Sequence, residues 1–227
     1  MSAGAGKPQL LRLGLLVSGG GTNLQAILDA CGQGQIDASV EVVISDKPEA
    51  YALTRAREAG LRTVVLEKKN FRTREEFDAG LVKILKEHRV DLVCLAGFMR
   101  LLTPVVIKAF PERILNIHPS LLPAFPGLDV LRKALAHGAR FSGCTVHIVD
   151  EGCDTGPIVI QAVVPVAPDD TADTLGARIL EQEHLIYPRA IQFFAEGRIE
   201  IEGRRVRIRK AGFAGGALMN PPSGKQA

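Results

Sequence analysis

The chain has 227 residues, of which 46% are hydrophobic and 23% are charged, and it carries a formal net charge of +3. This length suits one large domain, or one domain with a small extension. The small charge argues against a nucleic-acid partner, and the basic residues of the run 203–210 alternate with apolar ones, as in a solvated edge strand. No apolar run approaches the roughly 20 residues that cross a membrane. We therefore expect small molecules, and neither nucleic acid nor a membrane, as partners.

The start of the chain and its cysteines favour a reducing compartment. Residues 1–9 are small or polar and lack the charged-then-apolar layout of a signal peptide. The four cysteines are scattered and none forms a C-x-x-C pair, so zinc and redox motifs are not supported. The sequence therefore predicts a cytoplasmic protein without a metal, with a flexible N-terminus over residues 1–10.

Short apolar runs alternate along the chain with segments of helical periodicity. The predicted strands are Leu13–Val17, Val40–Ile44, Asp91–Ala96, Ile114–Ile117, Cys144–Val149 and Ile158–Val166. The predicted helices are Asn23–Cys31, Ala50–Ala59, Arg74–His88, Pro104–Ala109, Val130–Ala136 and a longer one at about 171–195, which Pro188 should kink or split. Because the first three strands are nearly continuous in apolar residues, they should be parallel and buried on both faces. This alternation predicts an α/β fold with a doubly wound, Rossmann-like, mostly parallel sheet.

The last two predicted strands follow each other too closely for a crossover helix. They should therefore pair in antiparallel fashion, which makes the sheet mixed. Beyond them and the long helix, the Gly- and Pro-containing end at 209–227 is expected to be a flexible tail.

A glycine-rich loop, Ser18–Asn23, connects the first strand to the first helix. Glycines allow a tight turn and a close approach to a ligand, and the free N–H groups of a helix N-terminus attract anions. Thr22 and Asn23 add hydrogen-bonding side chains and are placed to cap the helix. The loop predicts a phosphate site, although a turn without a ligand stays open. A nicotinamide dehydrogenase is a weaker alternative. Asp46 at the end of the second strand is placed like the ribose-binding acid of such an enzyme, but Leu24 stands where the dinucleotide fingerprint has its third glycine.

Asn116 and His118 lie at the carboxyl end of a predicted strand, where open α/β sheets carry their sites. Residues two apart in a strand point to the same face, so the two side chains should project together. An amide donor beside a group that titrates near neutrality suits acyl transfer, because one holds an oxyanion and the other carries a proton. A structural role for His118 remains the plainer alternative.

A carboxylate is needed to orient the imidazole, and the loop at 150–157 offers three acids. Asp154 lies between glycine-bearing turns, but spacing alone does not separate it from Asp150 or Glu151. The neighbouring Cys153 is interpreted as a bystander thiol rather than a nucleophile.

Three motifs indicate a protein family more specifically than the spacings of single residues do. They are Asn-Ile-His-Pro-Ser-Leu-Leu-Pro with the following Ala-Phe-Pro-Gly-Leu at 116–128, Val-His-Ile-Val-Asp-Glu-Gly-Cys-Asp-Thr-Gly-Pro-Ile at 146–158, and Leu-Ala-Gly-Phe-Met-Arg at 95–100. A fourth, Gln-Glu-His-x-x-Tyr-Pro, lies at 182–188. On these motifs the chain resembles the folate-dependent formyltransferases, and among them those that formylate glycinamide ribonucleotide in purine synthesis. The resemblance runs from about residue 13 to residue 197.

The resemblance implies direct formyl transfer from 10-formyltetrahydrofolate to the ribonucleotide amine through a tetrahedral intermediate, without a metal. It implies catalytic roles for Asn116, His118 and Asp154. Substrate-binding roles fall on Gly21, Thr22, Asn23 and Glu183. Folate-binding roles fall on Arg74, Met99, Arg100, Leu101, Leu102, Asn116, Asp150 and Asp154. It also implies one formyltransferase domain at 11–208, with a nucleotide-binding half at about 11–110 and a folate-binding, catalytic half at about 111–208.

Two related activities are less well supported by the sequence. Methionyl-tRNA formyltransferases typically have Arg-Gly after the second proline of the first motif and carry an RNA-binding domain, whereas Ala124 and Phe125 follow here. Formyltetrahydrofolate hydrolases normally carry an amino-terminal regulatory domain, whereas this chain is expected to begin close to its first strand. The loop Gly-Gly-Gly-Thr-Asn differs from the family's usual Asn and Ser at two places but keeps small or polar residues, so phosphate binding is still expected.

Overall fold

A seven-stranded mixed sheet forms the centre of the structure, a computed structural model that describes residues 10–212, 215 and 218–220. The predicted flexible N-terminus lies outside these residues apart from Leu10, as does most of the predicted tail beyond 212. The strands of the sheet are β1 (Leu11–Val17), β2 (Ala38–Ser45), β3 (Thr63–Val65), β4 (Leu92–Leu95), β5 (Ile114–His118), β6 (Phe141–Ile148) and β7 (Ile158–Pro165). Their order is β3-β2-β1-β4-β5-β6-β7. The first five are parallel, and β6 and β7 are antiparallel, so the predicted mixed sheet is confirmed.

Helices cover both faces of the sheet, as a doubly wound fold requires. They are α1 (Thr22–Gly32), α2 (Tyr51–Glu58), α3 (Arg74–Glu87), α4 (Pro104–Ala109), α5 (Val130–Ala136) and α6 (Ala172–Ala195). Apolar side chains of α1, α2 and α6 form one core cluster with the sheet, and those of α3 and α4 form a second cluster on the opposite face. The predicted fold class is therefore confirmed.

The long helix α6 is continuous through Pro188, so of the kink or split predicted there the split is wrong, and the kink stays a prediction. Proline removes one backbone hydrogen bond, but buried side chains on both sides of it hold the helix to the sheet. Among them, Tyr187 is fully buried, and its hydroxyl lies 3.0 Å from the Leu95 carbonyl and 3.1 Å from the Leu115 carbonyl. Tertiary packing therefore outweighs the local effect of the proline.

Three strands differ from the prediction. The edge strand β3 is only three residues long and was not predicted. The basic run 203–210 does contain a strand, β9 (Arg205–Ile208), but this strand pairs with the unpredicted β8 (Ile199–Glu202) in a separate two-stranded sheet. Its polar residues face solvent while Val206 and Ile208 pack against the main core.

The loops that carry the predicted site all leave the same edge of the sheet. The glycine loop follows β1, the segment 96–103 follows β4, and the motif beginning at Asn116 ends β5. Because β1 and β4 are neighbours and the chain winds in opposite directions from them, their carboxyl ends flank the topological switch point, where open α/β sheets bind ligands.

Candidate active site

Asn116 and His118 project from the end of β5, where the strand pairs with β4 on one side and β6 on the other. His118 is buried and Asn116 is half-buried. This central position in the sheet limits their motion, which preorganises a site better than an exposed loop does.

Asp154 joins the two residues, although it lies in a loop and adopts a left-handed backbone conformation with φ of 55°. Its Oδ2 lies 3.4 Å from Nδ1 of His118 and accepts a hydrogen bond from the N–H of Gly127 at 2.9 Å. Its Oδ1 is 3.5 Å from Nδ2 of Asn116. Asp154 thus contacts both of the other predicted catalytic residues, Asn116 and His118.

The other two acids of this loop face elsewhere. The Asp150 carboxylate accepts hydrogen bonds from the Thr155 hydroxyl at 2.6 Å and the Gly152 N–H at 3.1 Å, so it shapes its own loop. Glu151 is exposed to solvent. Of the three acids that spacing left open, only Asp154 contacts the imidazole of His118.

The Asp154 carboxylate is held in its ionised form. Burial acts to raise its pKa, but the hydrogen bond with His147, the N–H of Gly127 and the adjacent charge of His118 outweigh burial and lower the pKa to about 2. A negative charge beside the imidazole therefore persists through the physiological pH range.

The second nitrogen of His118 contacts a backbone carbonyl. Nε2 lies 2.9 Å from the Phe125 carbonyl oxygen, so both ring nitrogens face acceptors. The loop that carries this carbonyl is held by Thr145, whose hydroxyl donates to the Ser120 carbonyl at 2.7 Å and accepts from the Leu122 N–H at 3.1 Å. The imidazole orientation is thus fixed from two sides.

His147 is a member of the site that the sequence interpretation missed. It lies on β6 directly across from Asn116 and is 2% exposed. Its Nε2 is 3.1 Å from Nδ2 of Asn116 and 3.5 Å from Oδ1 of Asp154. Its sequence signals were its place in an apolar strand, where a buried histidine needs polar partners, and its presence in the motif at 146–158.

Gly21 begins helix α1 as its N-cap residue, with a left-handed φ of 74°. A Cβ atom here would lie 2.6 Å from Cβ of Ala52, so glycine is required for both backbone conformation and space. No side chain caps the helix, so the predicted capping by Thr22 or Asn23 is wrong. The free N–H groups of the first turn stay available for an anion.

Asn23 and Glu183, both predicted to bind substrate, are in direct contact although 160 positions separate them. The Asn23 amide donates to Oε2 of Glu183 at 2.7 Å, and both side chains are buried. Burial raises the pKa of Glu183, and this hydrogen bond opposes the shift. Oδ1 of Asn23 is buried without a partner, which leaves an acceptor for a ligand donor.

The predicted folate segment 99–102 presents apolar side chains to solvent. Met99 is 66% exposed and Leu101 is 57% exposed, while Leu102 is buried. The guanidinium of Arg74 donates to the Leu101 carbonyl at 2.8 Å. Arg100 lies over the ring of Phe77, 4.2 Å from its centroid, and its Nε is buried without a partner.

Cys153 lies beside the site but is a poor nucleophile. Its thiol is exposed and is 3.6 Å from Oδ2 of Asp154. Partial burial and the negative charge of Asp154 both raise its pKa, which suppresses the thiolate.

A cavity beside the glycine loop does not contain the catalytic residues. It has a volume of about 430 Å³ and is lined mainly by residues of α1 and α6. Thr22, Arg55 and His184 are among them. It borders the glycine loop at Thr22, whereas Asn116, His118 and Asp154 are not among its lining residues. The contacts among the polar side chains, rather than cavity size, therefore define the candidate site.

Within the described residues, no group of three or more His, Cys, Asp or Glu side chains is arranged to hold a metal ion. Among the same residues, no helix has the length and hydropathy needed to cross a membrane.

A doubly wound sheet with a glycine loop and an Asn–His–Asp group at its carboxyl edge is the framework of a group-transfer enzyme of the α/β class. A family model described as formyl transferase matches residues 11–191. The chain belongs to this formyl transferase family.

Similar proteins carry names from purine synthesis. The phosphoribosylglycinamide formyltransferase of Escherichia coli strain K12 is 46% identical over 187 residues, which cover 82% of this chain and 88% of that protein. The trifunctional purine biosynthetic protein adenosine-3 of Drosophila melanogaster is 50% identical over 189 residues, which cover 82% of this chain but 14% of that much longer protein. The crystal structure of glycinamide ribonucleotide transformylase 1 from Symbiobacterium toebii has a TM-score of 0.88 and 55% identity, covering 91% of this chain and 99% of the other.

Proposed function

We propose that this protein transfers the formyl group of 10-formyltetrahydrofolate to the amine of glycinamide ribonucleotide. The products are N-formylglycinamide ribonucleotide and tetrahydrofolate, in de novo purine synthesis. The observation that carries the proposal is the contact of Asn116, His118 and Asp154 at the end of β5, in a chain similar to enzymes named for this reaction.

The segment 99–102 suits the folate. Exposed Met99 and Leu101 supply apolar surface for a flat ring system, and the unpartnered Nε of Arg100 supplies a buried donor. Arg74, exposed at the start of α3, is placed to attract the acidic end of the folate. The bound 10-formyltetrahydrofolate supplies an activated formyl carbon on a nitrogen leaving group.

The catalytic residues act on the oxygen of that formyl group and on the proton of the amine. As the amine nitrogen bonds to the formyl carbon, negative charge develops on the oxygen of a tetrahedral intermediate, and Asn116 and protonated His118 donate to it. The Asp154 carboxylate holds His118 in position and stabilises its positive charge. When the bond from carbon to N10 breaks, His118 gives its proton to N10, and the neutral imidazole then takes up the proton that the attacking amine loses.

Donation by His118 requires a change of partner. Its Nε2 contacts the Phe125 carbonyl, and this contact must be exchanged for the substrate oxygen. Catalytic hydrogen bonds commonly reach their working geometry only with substrate bound.

The glycine loop and the Asn23–Glu183 pair bind the ribonucleotide in this proposal. The uncapped first turn of α1 receives the phosphate, and the buried Glu183 carboxylate accepts from hydroxyl or amine groups of the substrate. We place the reaction in the cytoplasm, which the four free thiols support.

The experiment that tests this assignment compares three acceptors at a fixed concentration of 10-formyltetrahydrofolate. Glycinamide ribonucleotide should give rapid consumption of the folate, and the matching riboside without phosphate should react with a KM raised at least about tenfold, because the loop then has no anion. Water alone should give negligible consumption. Equal rates with the nucleotide and the riboside would overturn the assignment of the loop.

A further inference from the structure

The segment 97–103 after β4 has no regular secondary structure, yet side chains fix it at three points. The Thr103 N–H donates to the buried Asp78 carboxylate at 2.6 Å, and Arg74 binds the Leu101 carbonyl. The third contact is from the N–H of Met99 to the hydroxyl oxygen of Ser18 at 3.0 Å. Of these three anchors, only Ser18 belongs to the glycine loop.

The hydroxyl of Ser18 is oriented by an acid on the neighbouring strand. Ser18 is 4% exposed, and its hydroxyl donates to Oδ1 of Asp46 at 2.7 Å. Because the hydroxyl has a single proton, this hydrogen bond leaves its lone pairs to accept from Met99. The carboxylate also polarises the hydroxyl and makes its oxygen a stronger acceptor. The backbone N–H of Ser18 donates to the Gly97 carbonyl at 3.1 Å, so the two segments are joined twice.

We propose that Ser18 is a positioning residue that fixes the folate segment Met99–Leu102 against the glycine loop, with Asp46 orienting its hydroxyl. The inference rests on the proposed function, in which these two segments hold the two substrates. Asp46 directly follows β2, where a nicotinamide dehydrogenase would carry its ribose-binding acid, but here its carboxylate is directed to Ser18.

Replacing Ser18 should affect the folate side more than the ribonucleotide side. The glycine loop keeps two other anchors, because the Ala52 N–H donates to the Gly19 carbonyl at 3.0 Å and Arg55 donates to the Gly20 carbonyl at 2.9 Å. The N–H of Met99 loses its hydrogen bond to the loop. Ser18→Ala should therefore raise the KM for 10-formyltetrahydrofolate about five- to tenfold, as loss of one hydrogen bond does. The KM for glycinamide ribonucleotide and kcat should change less than about twofold.

Ser45→Ala is the matched control. Ser45 is also fully buried at the end of a parallel strand, but its hydroxyl bonds only with the backbone of Lys47 in its own turn. Both variants lose a buried serine hydroxyl, so a similar loss of thermal stability is expected. Only Ser18→Ala should raise the KM for the folate.

Asp46→Ala tests the orienting role. Without the carboxylate, nothing fixes the direction of the Ser18 hydroxyl proton. The lone pairs of the hydroxyl oxygen are then no longer held towards the N–H of Met99. Asp46→Ala should therefore raise the same KM about threefold, and the double variant with Ser18→Ala should be no worse than Ser18→Ala. Independent, multiplicative effects would contradict the relay from Asp46 through Ser18.

A binding measurement separates failure of this inference from failure of the proposed function. The dissociation constant of tetrahydrofolate, measured by calorimetry, should rise for Ser18→Ala in parallel with the KM and stay unchanged for Ser45→Ala. If the wild-type protein transfers formyl groups but the two serine variants bind tetrahydrofolate equally, the role of Ser18 is wrong. If the wild-type protein neither binds tetrahydrofolate nor transfers a formyl group, the proposed function is wrong.

Discussion

Asn116 and His147 lie directly across from each other on antiparallel strands β5 and β6, with their side-chain nitrogens 3.1 Å apart. His147 is thereby placed to orient the amide of Asn116 and to support the Asp154 carboxylate from the side opposite His118. Because His147 contacts the amide of Asn116 rather than the substrate oxygen itself, its removal should cost less than removal of an oxyanion donor.

We expect His147→Ala to lower kcat about tenfold with little change in either KM. Single-turnover kinetics would check that the chemical step, rather than product release, is slowed. His88→Ala is a suitable control, because this histidine contacts the Ile84 carbonyl at the end of its own helix α3. An unchanged kcat in His147→Ala would show that the contact is structural only.

Direct removal of an oxyanion donor should have a larger effect. Asn116→Ala and His118→Ala should each lower kcat on the order of 10²-fold or more, because each removes a donor to the developing oxyanion. Steady-state kinetics at saturating concentrations of both substrates measures this. Near wild-type turnover in either variant would rule out its assigned role.

The lowered pKa of Asp154 predicts how its contribution to stability depends on pH. Because burial is outweighed and the pKa falls from 3.8 to about 2 on folding, the carboxylate stabilises the fold fully above about pH 5, and this stabilisation is lost progressively as the pH falls through 2. Asp154→Asn should thus lower the Tm by on the order of a few degrees at pH 7, and the difference should shrink towards pH 2. A difference in Tm that is constant with pH would contradict the ionic contacts.

The contribution of Glu183 to stability should depend on pH in the opposite direction to that of Asp154. Burial raises its pKa, so the folded protein binds a proton more tightly than the unfolded chain and loses stability as the pH rises through that pKa. Glu183→Gln removes a buried charge while keeping an acceptor for Asn23, and it should raise the Tm at pH 8. The same variant should raise the KM for the ribonucleotide about tenfold or more, since a charged acceptor is lost. A lower Tm together with an unchanged KM would contradict the assignment.

The backbone conformation of the glycine loop leads to a prediction about thermal stability. Gly21→Ala forces a left-handed alanine against Ala52, which costs about 1–3 kcal/mol and should lower the Tm by roughly 3–9 °C. Gly20→Ala has no atom within 4 Å of the new Cβ and should keep nearly the wild-type Tm. Thermal melts of both variants measure the contrast, and equal Tm values would show that Gly21 is not sterically constrained.

Strong periodicity explains which parts of the fold were predictable. The buried parallel strands and the helices between them were predicted because continuous apolar runs and helical spacing are local properties of the sequence. The strand Thr63–Val65 escaped prediction because it is short, lies at the sheet edge and is only partly buried. Pro188 misled the prediction because the packing of Tyr187 and its neighbours, which depends on the whole sheet, holds α6 together.

The candidate site likewise has residues that local patterns predicted and residues that depend on the tertiary structure. Spacing within one strand paired Asn116 with His118, but it did not distinguish Asp154 from the other acids of its loop. That choice depends on the left-handed turn at Asp154, which directs the carboxylate back to β5. His147 was missed because its contact with Asn116 depends on the register between two strands, a relationship that no local pattern records.

Acceptor-dependent consumption of the formyl donor tests the central claim most directly. Purified protein is mixed with 10-formyltetrahydrofolate, with or without glycinamide ribonucleotide, and tetrahydrofolate and formylated ribonucleotide are quantified together. Our account predicts that the two products appear in equal amounts, and only when the ribonucleotide is present. Tetrahydrofolate and formate released without the ribonucleotide, at a rate that its addition does not change, would contradict it.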